Sequence, residues 1–365
     1  MRIPMVDLRQ QLAATRAVWE KNLDEMHQRM VYVLGPNVSS FEQEFAAAVE
    51  SRFAVGVSSG TTALELCLRD AQVTGRVITS ALTAPFTGVA IQAAGATPVF
   101  ADIDPGTLLM DPEDAARRIG KRTEALLPVH LYGQACNLTA LKKIAQANRL
   151  TMIQDACQAH GAKFAGASFH QFSSYVAYSF YPTKNLGCLG DGGAIATNSP
   201  AINKRLRMLR DGGRKQGEQV STRVGINARL DEMQAAYLRA FLPHLGAWNK
   251  RRAALAAIYD QAFQGSSAVR PVQRINDSVN HLYVVRVETR DRLRAFLAKA
   301  GIASAIHYPV PLHLHPAFSG CRQKRGDLPH AESAARQILS LPLFPTMTFS
   351  QVEEVAAAVA KCCEG

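Results

Sequence analysis

The chain has 365 residues, 47% of them hydrophobic and 19% charged, with a formal net charge of +11. That length suffices for two domains and a large buried core, and the balance excludes wholesale disorder. No run approaches the roughly 18 apolar residues of a membrane span, while the positive charge admits nucleic acid, small anionic ligands or solubility alone.

Residues 1–7 lack the apolar core of a signal peptide. The seven cysteines are odd in number, scattered and never spaced C-x-x-C. Reduced thiols in a cytoplasm are therefore expected, with neither a disulfide framework nor a zinc site.

Residues 9–34 read as an amphipathic helix on the spacing of Trp19, Leu23, Met26 and Met30. A second helix is predicted over 41–53, started by Ser39 or Ser40 ahead of Glu42 and Glu44. Short β-rich runs at 54–57, 76–79, 97–101, 125–129 and 151–154 then alternate with helical segments at 61–70, 87–94, 112–119 and 138–148. This alternation predicts an α/β fold, a mostly parallel sheet with helices on both faces. Beyond Leu230 the pattern changes to one long helix over 231–260 and a Pro- and Gly-punctuated stretch at 265–280. A strand at 281–287 and helices at 290–300 and 350–363 complete a smaller α+β unit. The expected division is a large domain over 1–250 and a small C-terminal domain over 251–365.

Four local motifs carry chemistry. Val57-Ser-Ser-Gly-Thr-Thr-Ala-Leu64 is a strand entering a small-residue turn and a helix. Its free N–H groups and the hydroxyls of Thr61 and Thr62 form either an anion cradle or a plain capped helix start. The strand before Asp155 places that carboxylate at a strand's C-terminal edge, where open α/β sheets bind ligands; a turn aspartate is the bland alternative. Lys184 follows Tyr178-Ser-Phe-Tyr-Pro-Thr in aromatic and small surroundings. It is either a surface lysine or a partly desolvated amine available as a nucleophile. Gly187-Cys-Leu-Gly-Asp-Gly-Gly permits close backbone approach directly after it. Phosphate cradle, ring-nitrogen carboxylate and Schiff-base lysine are together the groups that pyridoxal 5'-phosphate requires.

With these residues the chain resembles the DegT/StrS-type sugar aminotransferases, fold-type-I pyridoxal phosphate enzymes acting on nucleotide-linked keto-sugars. The resemblance runs through Leu34-Gly-Pro-Asn-Val, Ser59-Gly-Thr-Thr-Ala-Leu64, Pro128-Val-His-Leu-Tyr-Gly133, Gln158-Ala-His-Gly161, Ser179-Phe-Tyr-Pro-Thr-Lys-Asn-Leu-Gly187, Gly225-Ile-Asn-Ala-Arg-Leu-Asp231 and His307-Tyr-Pro309. It implies a seven-stranded-type sheet in the large domain. Lys184 is implied as the Schiff-base lysine and Asp155 as the partner of the pyridinium nitrogen. Gln158 matches the glutamine beside the ring hydroxyl, and Gly60, Thr61, Thr62 and Ser179 the phosphate site. Asn227 matches an asparagine reaching the phosphate from the neighbouring subunit, which implies a homodimer with shared active sites. A lysine at 184, where related dehydratases carry histidine, points to transamination.

Leu82-Thr-Ala-Pro-Phe-Thr87 puts Ala84 where many members place an aromatic over the cofactor, as in the 3-keto branch; Phe86 is the alternative cover. Phe86, His160, Tyr181, His307 and Tyr308 are candidates for substrate contact, with His160 equally able to brace its loop. The segment 216–222 lacks the aromatic residues that often precede the Asn227 motif.

The resemblance implies a dTDP-3-oxo-6-deoxyhexose 3-aminotransferase with L-glutamate as donor and 2-oxoglutarate as product. A 4-keto or UDP-linked 3-keto-uronic substrate is the alternative, and a non-catalytic regulator the alternative of another class. No nucleic acid, membrane or metal is expected. His313 and His315 lack companion ligands, Cys157 and Cys188 read as small core packers, and the basic run 204–215 reads as a solvated face or a diphosphate channel.

Overall fold

The computed structural model describes residues 2–215, 217–275 and 277–364; Gln216, within the segment 216–222, lies outside them. Seven strands form the central sheet: β1 (Phe53–Val57), β2 (Arg76–Ser80), β3 (Thr97–Ala101), β4 (Thr123–Leu127), β5 (Thr151–Asp155), β6 (Tyr175–Ser179) and β7 (Gly193–Thr197). Their order is β1-β7-β6-β5-β4-β2-β3. The ladder from β3 to β6 is parallel, and β7 runs antiparallel to both β6 and β1. Most strand positions are buried, because helices cover both faces of a parallel sheet. The expected mostly parallel α/β sheet is present, with one antiparallel strand inserted. β1, β5 and β6 therefore end on the same edge, where ligands bind in such sheets.

The first helix, α1 (Arg9–Arg29), stops at Met30, whose φ of 53° closes the turn, five residues before the predicted end at 34. Its buried face is Gln11, Thr15, Asn22 and Met26; of the predicted stripe Met26 is buried, Trp19 and Leu23 are half-buried, and Met30 is exposed. Two of its polar side chains find partners: Asn22 Nδ2 donates to the Ala236 carbonyl at 3.0 Å and the Thr15 hydroxyl to the Gln11 carbonyl at 2.9 Å. The next, α2 (Pro36–Ala48), starts ahead of Ser39 and Ser40. The Glu232 carboxylate caps it, accepting from the N–H groups of Asn37 (2.9 Å) and Val38 (2.8 Å).

Around the sheet lie α3 (Gly60–Asp70), α4 (Pro85–Ala93), α5 (Pro112–Arg117), α6 (Leu138–Ala147) and α7 (Pro200–Leu209). The predicted 231–260 helix is two, α8 (Glu232–Phe241) and α9 (Leu245–Ala262), separated by a tight turn over Leu242–His244 that contains Pro243. Among the described residues no helix is long and apolar enough to cross a membrane.

A three-stranded antiparallel sheet follows, from β8 (Arg270–Pro271), β9 (Tyr283–Arg286) and β10 (Ile338–Leu341). With α10 (Arg290–Lys299) between its strands, it builds a second core around Tyr259, Tyr283, Leu293 and Leu339, joined by Ile3. Between β9 and β10 the chain returns to the first core: Leu312, Phe318 and Ala331, the last on α11 (Pro329–Gln337), pack there. The final helix, α12 (Phe349–Glu364), closes the smaller unit.

Candidate active site

Three strand ends and one helix start meet at the carboxyl edge of the sheet. After β1, Ser59 caps α3 by accepting from the Thr62 N–H at 3.1 Å. The Thr62 hydroxyl is committed to this cap, 2.8 Å from Ser59 Oγ and 3.2 Å from Ser58 Oγ. The N–H groups of Gly60 and Thr61 find no acceptor among the described residues, so the helix start presents open donors. Ser179 faces them from the end of β6. A Cβ on Gly60 would lie 2.6 Å from Ser179 Cβ and 2.8 Å from Cys157 Sγ, so only glycine fits.

Asp155 ends β5 and is 5% exposed. Both oxygens are engaged: Oδ2 accepts from the Thr87 hydroxyl at 2.9 Å, Oδ1 from the Cys157 N–H at 3.1 Å. Three residues on, Gln158 Oε1 accepts from the Tyr132 N–H at 2.9 Å, and its Nε2 donates to Tyr308 Oη at 3.2 Å. The Tyr132 hydroxyl donates to the His307 carbonyl. These bonds seat His307 and Tyr308 over the Asp155 loop. Burial, reinforced by the Asp155 charge, pushes the Tyr308 phenol to about 12. Burial and the Lys184 charge lower His307 to about 4, and its Nδ1 lies 2.9 Å from Ser340 Oγ.

Lys184 sits in the loop joining β6 to β7, its N–H bonded to the Tyr181 carbonyl at 2.9 Å. Its side chain is partly buried, and its amine makes no hydrogen bond or ion pair among the described residues. Burial lowers its pKa below the ordinary lysine value, opposed by the neighbouring Cys157 and Asp155. The next residue anchors the loop. Asn185 Nδ2 donates to Asn249 Oδ1 (2.8 Å) and the Val279 carbonyl (3.0 Å), and its Oδ1 lies 3.0 Å from His281 Nδ1.

His160 is fully buried, its ring 5.6 Å from Tyr178 and 5.8 Å from Phe180, and neither nitrogen is hydrogen-bonded among the described residues. Its carbonyl accepts from Asn249 Nδ2 at 2.9 Å. Ala84 is the residue before α4 and Phe86, in its first turn, is 61% exposed. Tyr181 is also exposed, beside the lysine loop. Asn227 is exposed and pairs across a β-bridge with Asp211. His313 Nε2 meets Glu332 Oε1 at 3.1 Å, and His315 meets the Val310 carbonyl. Among the described residues no three His, Cys, Asp or Glu side chains gather to hold a metal. Thr87, Asn185, Asn249 and His281 join the site without having been predicted. Thr87 lay in the segment singled out for Ala84, but only its contact with Asp155 gives it a role.

An α/β sheet whose carboxyl edge sets an unpartnered lysine amine beside a fixed aspartate and an open helix start has the architecture of fold-type-I aminotransferases. The profile of the DegT/DnrJ/EryC1/StrS aminotransferase family matches residues 15–360. The chain belongs to that family. It is 44% identical to the dTDP-3-amino-3,4,6-trideoxy-alpha-D-glucose transaminase of Streptomyces venezuelae, over 100% of this chain and 97% of that protein. It is 39% identical to a pleiotropic regulatory protein of Geobacillus stearothermophilus, over 99% and 98% respectively. The crystal structure of S. venezuelae DesV in complex with a ketimine intermediate superposes with a TM-score of 0.96 at 43% identity, covering 100% of this chain and 99% of that one.

Proposed function

We propose that the protein transfers the amino group of L-glutamate to the 3-keto carbon of a dTDP-linked 6-deoxyhexose, as a cytoplasmic homodimer using pyridoxal 5'-phosphate. The observation that carries this reading is the unpartnered Lys184 amine, desolvated between Asp155 and the helix start of α3. The residues present fit the cofactor. The open N–H groups of Gly60 and Thr61, with Ser179, suit a phosphate; Asp155 suits a ring N–H; Gln158 suits a ring hydroxyl. When bound, the cofactor supplies an electrophilic carbonyl carbon and an electron-accepting ring.

The chain's own groups do the rest. Thr87 and the Cys157 N–H hold the Asp155 oxygens in place. Desolvation at Lys184 Nζ favours its neutral amine, the form that would hold the cofactor's carbonyl carbon with loss of water and, once displaced by the donor's amino group, would take up and return a proton at Nζ. Asn227, exposed at the chain surface, serves the phosphate of the partner subunit's site. The 3-keto, dTDP-linked substrate is supported by the S. venezuelae relative and by Ala84 at the usual aromatic position.

The test combines a variant with a substrate panel. Lys184→Ala is expected to stay folded but lose the visible absorbance of the cofactor-loaded protein and its turnover; an unchanged spectrum and rate would sink the assignment. Among dTDP- and UDP-linked 3-keto and 4-keto sugars, a dTDP-3-amino product is expected, and a 4-amino product refutes the 3-keto reading. The regulatory relative keeps one competitor in view. A colourless protein with no transamination of any panel sugar favours regulation without catalysis.

A further inference from the structure

Asn249, half-buried in the second turn of α9, sets one side-chain amide between two loops of the site. Its Oδ1 accepts from Nδ2 of Asn185, the residue after Lys184, at 2.8 Å. Its Nδ2 donates to the His160 carbonyl at 2.9 Å. His160 stands in the loop that begins at Asp155, and that loop is stiff. The Ala156 N–H donates to the Ala177 carbonyl (2.8 Å), the Ala159 N–H to the Ala156 carbonyl (2.9 Å) and the Cys157 N–H to the Asp155 carboxylate. A single amide therefore ties the lysine loop to the aspartate loop.

The orientation of that amide is forced. A carbonyl only accepts, so Nδ2 of Asn249 must face His160 and its Oδ1 must face Asn185. Asn185 then donates through Nδ2 and accepts through Oδ1, 3.0 Å from His281 Nδ1. His281, Asn185, Asn249 and the His160 carbonyl form one line in which each group donates to the next, and bonds in such a line polarise one another. Gly161 makes room for it: its φ is +83°, and a Cβ there would lie 3.2 Å from Asn249 Nδ2.

The neighbouring strands β5 and β6 fix their own ends, with Asp155 opposite Ala177. Lys184 lies beyond the end of β6, in a loop the ladder does not hold. The second tie comes from outside the sheet. Further along α9, Leu255, Ala256 and Tyr259 belong to the core of the smaller unit. Arg252 Nη1 donates there to the Leu343 carbonyl at 2.7 Å, and the Tyr259 hydroxyl to the Pro342 carbonyl at 2.9 Å. The smaller unit thus anchors Asn249, while both of its partners lie in the larger.

We infer that Asn249 is a positioning residue for transamination, holding the Lys184 loop in register with the Asp155 loop so that amine and carboxylate meet the cofactor from fixed places. The inference rests on the reading of Lys184 given above and adds the group that seats it.

The test compares holoenzymes of the full chain. Asn249→Leu removes both bonds. Asn249→Asp at pH 8 keeps an acceptor for Asn185 and loses the donor to His160. Each is expected to slow glutamate-driven loss of the cofactor's visible absorbance about tenfold, which corresponds to about 1.4 kcal/mol. The half-saturating glutamate concentration should stay within about twofold. Release of the cofactor on dilution should quicken by about threefold or more, as expected of a misplaced lysine. Tyr259→Phe, on the same helix, strands the Pro342 carbonyl; it should lower the urea midpoint and leave both rates within about twofold. Asn185→Leu combined with Asn249→Leu should be no slower than the slower single variant, because either change breaks the line.

Wild-type rates in the Asn249 variants overturn the positioning role. So do equal slowing in Tyr259→Phe and losses that multiply in the double variant. Should Asn249→Leu fail to fold, Asn249→Asp, which retains the Asn185 bond, decides. Lys184→Ala separates the two readings. If it keeps the visible absorbance and turnover, the lysine assignment falls and this inference with it. If it abolishes both while the Asn249 variants match wild type, only the positioning role falls.

Discussion

The Thr87 hydroxyl donates to Oδ2 of Asp155 at 2.9 Å, joining residues 68 positions apart. Thr87 lies in the first turn of α4, and Thr83 Oγ1 stands 3.4 Å behind it. With the Cys157 N–H on the other oxygen, the carboxylate is held at both ends. On the proposed reading, a carboxylate fixed in this way would meet an incoming ring nitrogen without reorganising, which is the condition under which a buried charge acts most strongly.

Thr87→Val keeps the shape and removes the donor. A hydrogen bond to a charged group is worth about 1.5–3 kcal/mol, so glutamate-driven loss of the cofactor's visible absorbance should slow roughly 10- to 100-fold. Thr87→Ser restores a hydroxyl and should recover most of the rate. Equal single-turnover rates in wild type and Thr87→Val would remove Thr87 from the positioning of Asp155.

Gly60→Ala should damage both stability and cofactor retention. The added methyl carbon meets Ser179 Cβ at 2.6 Å, Cys157 Sγ at 2.8 Å and Ser179 Cα at 3.2 Å. Overpacking of this kind costs about 1–3 kcal/mol, read as a lower urea midpoint, and the shift of Ser179 should weaken cofactor binding. Adding Cys157→Ala relieves only the sulfur contact, so the double variant should recover partly. Full recovery would show that Ser179 is not the obstacle.

The parts of the fold visible in sequence are those set by local pattern. The apolar runs of β1, β2, β3 and β5 stand within about two residues of their predicted places, and Asp155 stands at its strand end. What pattern could not reveal was settled by distant partners. The start of α2 is moved by Glu232, 195 positions away. On the buried face of α1, Asn22 is accommodated because it reaches a carbonyl on α8. β7 completes the sheet by pairing antiparallel with the preceding strand β6 and with β1 from near the start of the chain. The site divides the same way: the cradle and Lys184 carry local signatures, whereas Thr87 and Asn185 acquire roles only through contacts across the fold.

Asn185 ties the lysine loop to the entry of the smaller unit, and its replacement should slacken Lys184. Its Nδ2 serves two acceptors, Asn249 Oδ1 and the Val279 carbonyl, which leaves Oδ1 to accept from His281 Nδ1–H. Burial, with the charge of Lys184, holds His281 well below its usual pKa, so it donates as the neutral ring. Asn185→Leu strands these groups, each at about 1–3 kcal/mol. The expected result is a lower melting temperature together with a fall in kcat larger than any rise in KM for glutamate. A stability loss with unchanged kcat would confine Asn185 to structure.

His130 should make the fold acid-sensitive. Its ring is fully buried, and its Nε2–H donates to Gln154 Oε1 at 3.0 Å while its Nδ1 accepts from the Cys136 N–H at 3.2 Å. The Gln154 amide is oriented by its own donation to the Phe169 carbonyl at 2.8 Å, so the ring's tautomer is set. A proton on Nδ1 would face an N–H instead of an acceptor. Burial lowers the pKa to about 4, against 6.5 for the free ring. Between those values the unfolded chain binds the extra proton, so stability falls as pH drops from about 6.5 to 4 and levels off below. A shift of that size corresponds to about 3 kcal/mol at the acid end. His130→Gln should cost stability at pH 7 yet lose less on acidification than wild type, measured as the change in urea unfolding free energy between pH 7 and pH 4.5. His160, His170 and His307 are also lowered by burial and remain in the variant, so its acid sensitivity shrinks without vanishing. Identical pH dependence in the two proteins would place the acid lability elsewhere.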